Sequence, residues 1–86
     1  MRVRIPTPLR SYTSGATVVD AEGATVDAVL LDLDRQFPGL RFRVVDEQGR
    51  LRTHMKVFVG MESVRDLAAP IEGLEEITLM QALSGG

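Results

Sequence analysis

The chain has 86 residues, 44% hydrophobic and 26% charged, with a formal net charge of -2; this length makes one domain with a modest core, and burying only about 60 to 65% of the unfolded surface leaves no room for a large catalytic cavity. Cysteine is absent, which excludes disulfides, thiolate metal sites and nucleophilic cysteine together, so any sulfur chemistry must use imported sulfur. The charge gives no drive toward a phosphate backbone, although Arg2, Arg4, Arg41, Arg43, Arg50 and Arg52 could gather locally; no apolar run nears the roughly 18 residues of a membrane span, so the expectation is a cytoplasmic protein that binds neither nucleic acid nor membrane.

Met1, Val3 and Ile5 alternate with Arg2 and Arg4, the period of a strand with one buried face, which the sequence extends from Met1 to Leu9 with Pro6 and Pro8 limiting its pairing. Ser11 to Gly15 reads as a turn and Ala16 to Ala21 as a β-branched run, completing a hairpin that Glu22-Gly23 ends. Thr25 then stands where an N-cap belongs, with Asp27 favourable to the helix dipole. Val26, Val29, Leu30, Leu33 and Phe37 follow at helical spacings, and Pro38-Gly39 stops the helix.

Leu40 to Asp46 reads as a second β-prone stretch, Glu47 to Arg50 as a turn, and Leu51 to Val59 as a strand in which Met55, Val57 and Val59 share a face. Gly60-Met61-Glu62 turns the chain into a short edge segment at Ser63 to Arg65. Asp66 to Gly73, with Pro70, reads as an irregular crossover, and Glu76 to Leu83 as the last strand. The order predicts an α+β, ubiquitin-like β-grasp fold: a mixed sheet with one main helix across one face and the first and last strands side by side and parallel. The domain is expected over 1–83, and Ser84-Gly85-Gly86 as a flexible tail that ends the chain.

These residues resemble the superfamily of the molybdopterin-synthase small subunit and the thiamine sulfur carrier (MoaD/ThiS), which shares the ubiquitin fold and ends in a free Gly-Gly. The match spans nearly the whole chain. Ile5 to Arg10 and the stretch His54 to Arg65, with Val57-Phe58-Val59, are most similar to the CysO-type actinobacterial carriers that donate sulfide for cysteine synthesis. Gly60 and Gln81 depart from the asparagine and proline often found in the family.

The resemblance implies a carrier, not an enzyme, with no catalytic residue and no bound cofactor or metal of its own. It implies an ATP-dependent activating enzyme of the ubiquitin-activating type that adenylates the Gly86 carboxylate, after which a sulfur donor forms a thiocarboxylate. A sulfur-accepting synthase takes the sulfur: a cysteine synthase of the pyridoxal-phosphate type, with a JAMM-type metalloprotease releasing the cysteinyl adduct, or the large subunit of molybdopterin synthase. The alternatives that stay open are a molybdopterin or thiamine carrier, a ubiquitin-like modifier conjugated to lysines, and a non-covalent binding module.

That chemistry needs a narrow lead into another protein's site. Gly85 and Gly86, without a Cβ, allow walls to approach closely, and four extended residues from Leu83 to Gly86 reach about 13 to 14 Å. A tail this short carries too little area for a selective complex, so the sheet must supply the docking surface. If the helix covers Val57, Val59, Ile77 and Leu79, alternation sends Phe58, Met80 and Pro6 to the other side as an apolar patch for partner docking.

Other residues carry less. His54 is the single histidine, and one imidazole without companions reads as a surface strand residue rather than a ligand. The arginines read as a solvated sheet face, the helical stripe as core, Met55 and Met61 as packing or rim, and the acidic pairs Asp32, Asp34 and Glu75, Glu76 as solvated charges.

Overall fold

A computed structural model describes residues 1–72 and 76–82 of the chain. Its sheet has five strands in the order β2-β1-β5-β3-β4, where β1 is Arg2–Arg4, β2 Val18–Asp20, β3 Met55–Val59, β4 Glu62–Val64 and β5 Ile77–Gln81. Val3 pairs antiparallel with Val19 on one side and parallel with Ile77 on the other. β3 runs antiparallel to both β5 and β4, with Val57 opposite Leu79 and Val64. The first and last strands therefore lie side by side and parallel, as a long crossover permits.

One helix, α1 (Val26–Gln36), packs across the sheet. The Thr25 side chain accepts a hydrogen bond from the Ala28 amide at 3.1 Å, satisfying one of the helix's free amides. Two more are taken by the crossover: the amides of Val26 and Asp27 donate to the carbonyls of Ala69 and Leu67. Val26, Val29, Leu30 and Leu33 are buried against Val3, Met55, Val57, Ile77 and Leu79, and Phe37, at the helix end, packs on the edge of this core. The architecture is a ubiquitin-like β-grasp.

Five expectations are corrected. The first strand stops at Arg4, and Thr7–Thr13 forms a 3-10 helix where the sequence suggested the end of a strand and a turn. Pro6 and Pro8 have no amide to give to a sheet ladder, and the Leu9 amide instead donates to the Pro6 carbonyl at 2.9 Å. Ser14, at φ 55°, and Gly15, at φ 87°, then turn the chain into β2.

Leu40–Val44 is a short helix, α2, and not a strand. Leu40 and Val44 are buried while Phe42 is half exposed, the pattern of positions i and i+4 on one helical face. The Asp34 carboxylate accepts from the amides of Gly39 and Arg41 at the start of α2, and the Arg41 guanidinium binds Asp27 of α1 at 2.7 Å. β3 begins at Met55 rather than Leu51: Leu51 forms an isolated bridge with Val45, and Thr53-His54 turn into the strand. Finally, the last strand, β5, ends at Gln81 with Ala82 already beyond it, short of the Leu83 that the sequence suggested; the domain boundary at residue 83 and the Ser84-Gly85-Gly86 tail lie outside the described residues.

Candidate functional site: the outer face of the sheet

α1 covers one face of the sheet, and strand alternation fixes what the other face carries. Along β3, Met55, Val57 and Val59 are buried, while Lys56 is exposed and Phe58 partly so. Along β5, Ile77 and Leu79 are buried and Met80 is 47% exposed. Register places Phe58 opposite Thr78 and Lys56 opposite Met80, so Phe58 and Met80 are diagonal neighbours across two strands. Arg4 continues the same row on β1 opposite Thr78, and its guanidinium pairs with Glu76.

Pro6 reaches this face by a different route. β1 ends at Arg4, the Ile5 amide donates to the Thr17 carbonyl at 2.8 Å, and Pro6 is held extended at the start of the 3-10 helix. A concavity of about 590 Å³ opens between that helix and the end of β5, with Pro6, Pro8, Arg10, Leu79, Met80 and Gln81 among its lining. Of the three residues expected to dock a partner, Pro6 and Met80 thus share one mostly apolar hollow. Phe58 stands beside it on the same sheet face and does not line it.

The sequence did not point to Pro8 and Arg10 as walls of this hollow, since the strand was read as far as Leu9 and the turn only from Ser11, which left Arg10 in neither and Pro8 in a strand that the 3-10 helix replaces. The signal was the Pro6-Thr7-Pro8 spacing, which forbids strand pairing and favours a helical start. The Arg10 guanidinium donates to the Ile5 carbonyl at 3.0 Å, fixing the 3-10 helix against the chain that enters it. The hollow lies at the C-terminal end of β5, and the Ala82 amide donates to the His54 carbonyl at 2.7 Å just beyond that strand. The chain therefore leaves the described structure at the edge of the hollow. Gly86, Gly85 and Ser84 lie outside the described residues.

A second, smaller recess of about 280 Å³ flanks the same end of β5, lined by Phe42, Arg43, Arg52, His54 and Gln81. Here the Arg52 guanidinium stacks 4.7 Å from the centre of the Phe42 ring and donates to the Phe42 carbonyl. His54 sits in this rim, with no cluster of three His, Cys, Asp or Glu residues placed to hold a metal ion among the described residues. Nor is any helix among them long and apolar enough to cross a membrane.

A five-stranded mixed sheet grasping one main helix, with an outward apolar hollow at the C-terminal end of its central strand, is a ubiquitin-like β-grasp domain of the ThiS/MoaD type. The ThiS family model matches residues 3–86, and the chain belongs to that family. It is 36% identical to the sulfur carrier protein CysO of Mycobacterium tuberculosis over 89 residues, covering 98% of this chain and 96% of the relative. The crystal structure of an Amycolatopsis orientalis BexX/CysO complex contains a chain that matches with a TM-score of 0.91 at 35% identity, covering 99% of this chain and 98% of that one. SAMP1 of Haloferax volcanii matches with a TM-score of 0.79 at 29% identity, over 100% of this chain and 98% of that one.

Proposed function

We propose that this protein is a sulfur carrier of cysteine biosynthesis, acting as a co-substrate of partner enzymes and catalysing nothing itself. The observation that carries the reading is the match, from one end to the other, to proteins named as sulfur carriers, with the family match running to Gly86. Gly86 bears the sulfur, Gly85 and Ser84 form its lead, and Met80, Pro6 and Phe58 dock the partner.

The chemistry requires two steps. A carboxylate resists nucleophiles because of its charge and resonance, so an adenylating enzyme first joins the Gly86 carboxylate to AMP, consuming ATP and releasing pyrophosphate. A sulfur nucleophile then attacks the acyl carbon, AMP leaves, and a thiocarboxylate results. The carrier binds no cofactor; ATP belongs to the activating enzyme. A synthase next accepts the sulfur, and the solved CysO chain that accompanies BexX is an instance of a carrier of this fold meeting a second protein. In the cysteine route a JAMM-type metalloprotease frees the product.

A second reading, a modifier conjugated to lysines, draws on the likeness to small archaeal modifier protein 1. The two diverge only after adenylation. Incubation with the activating enzyme, ATP and a sulfide source, followed by intact-mass measurement, tests the carrier reading. The expected product carries sulfur in place of one carboxylate oxygen, and a chain extended by one residue beyond Gly86 gives none. Failure of the native protein to load would overturn the reading.

A further inference from the structure

Activated carboxyl groups acylate amines, and this chain offers few of them. Of its ten Lys and Arg residues nine are arginine, and Lys56 is the single lysine. A guanidinium stays protonated and does not act as a nucleophile, whereas a lysine amine does so whenever it loses its proton. There is no cysteine thiol to compete.

The position of that lysine is specific. Lys56 is exposed at the second place of β3, directly opposite Met80 and one pleat from Phe58. The three ion pairs among the described residues all use arginine: Arg4 with Glu76, Arg35 with Asp32 and Arg41 with Asp27. The Lys56 amine is thus without a carboxylate partner among the described residues. Met1, which bears the other amine in this sequence, is half-buried and packs against the core.

We propose that Lys56 is the acylation site of this protein, the amine that accepts an activated glycyl carboxyl from Gly86 of the same chain or of a second copy. In the step, the neutral Nζ attacks the acyl carbon of the adenylate or thioester. A C–N bond forms, the bond to AMP or thiolate breaks, and the amine's proton passes to solvent. The product is an isopeptide on Lys56, the residue opposite Met80 in the sheet. Docking over Met80 and acylation of Lys56 therefore exclude each other, so that a carrier seated on its activating partner through this face presents no side-chain amine to its own activated end. The inference rests on the carrier reading for the source of activation.

The test removes that dependence. The full chain, prepared with a chemical thioester at Gly86, is incubated alone under mildly alkaline conditions beside the same thioester of Lys56→Arg, with circular dichroism confirming that both are folded. Trypsin cuts after Arg65 and nowhere later in the sequence, so the diagnostic product is residues 66–86 joined to Lys56. The expected result is that product in the native chain and a fall in total acyl adduct of at least about tenfold in the arginine variant, which keeps the charge and removes the nucleophile. An adduct that persists in Lys56→Arg and maps to the Met1 amine overturns the proposal, as does thioester hydrolysis with no adduct at Lys56. Neither result bears on enzymatic sulfur loading, which is read separately by mass.

Discussion

Gly23 stands between β2 and α1, and a Cβ built there would lie 2.6 Å from the Val29 backbone nitrogen and 2.7 Å from the Ala28 carbonyl carbon. Both atoms belong to the backbone of α1, which cannot swing aside as a side-chain tip would. Gly23→Ala is expected to lower stability by about 2 to 4 kcal/mol in urea unfolding. Gly49, by contrast, adopts φ 78° in open space, and Gly49→Ala should cost about 1 kcal/mol, for backbone strain alone. The sequence marked Gly23 as a strand breaker, but the close helix behind it depends on tertiary packing that no local pattern records. Charge acts at this scale too. The Arg50 and Gln48 amides and the nearby Arg50 and Arg52 charges hold the Asp46 carboxyl below the usual aspartate range, and the Glu22 amide, with Arg35 and Gln36, does the same for Asp32. A carboxyl whose native pKa is depressed stabilises the fold above its unfolded value, and that contribution fades as pH falls through the native value. The contribution of these two carboxyls should therefore be complete above about 3.9, the ordinary aspartate value, and decline as pH drops below it. Asp46→Asn should shrink the difference in stability between neutral and acid solution, as measured by thermal melts at both.

Among the elements, α1 was legible because cap, stripe and stop agreed: Thr25, then Val26, Val29, Leu30 and Leu33, then Pro38-Gly39. Thr25→Ala should cost about 1 kcal/mol through the lost cap, and Leu33→Ala about 2 to 5 kcal/mol through the cavity it leaves in the core; chemical denaturation resolves the two. α2 was not legible for a definite reason. In Leu-Arg-Phe-Arg-Val a strand would bury Leu40, Phe42 and Val44, whereas a helix buries Leu40 and Val44 alone, and five residues cannot separate a period of two from one of 3.6. The decision came from Asp34, whose carboxylate takes the amides of Gly39 and Arg41, and from the Arg41 bridge to Asp27. Both are contacts between elements and invisible to local spacing. The 3-10 helix after β1 was not foreseen: Pro6 and Pro8 marked only a limit to strand pairing, and the helix is secured by Thr13, whose buried hydroxyl lies 2.8 Å from the Ala16 carbonyl and ties the helix to the turn that follows.

For the whole molecule, the sequence supplied the two sides of the sheet, because alternation along β3 and β5 separates buried from exposed residues without further information. It did not supply the hollow between Pro6 and Met80, which exists only because the 3-10 helix folds up beside the end of β5. A partner that handles Gly86 must approach that end, since Ala82 is bonded to His54 there. Selective binding then needs area beyond the last few residues. Met80→Glu places a charge in the mouth of the hollow at a position already 47% exposed, so the fold should persist while affinity for the activating enzyme falls about tenfold or more, equivalent to about 1.4 kcal/mol. Leu31 provides the matched control: it is 49% exposed but sits on α1, across the core from the sheet's outer face, and Leu31→Glu should leave affinity within about twofold. Calorimetric titration of both variants into the enzyme separates the possibilities. Equal weakening would mean a charge effect without a surface, weakening by Leu31→Glu alone would move docking to the helix, and weakening by Met80→Glu alone would seat the partner over the hollow, where the same contact also covers Lys56.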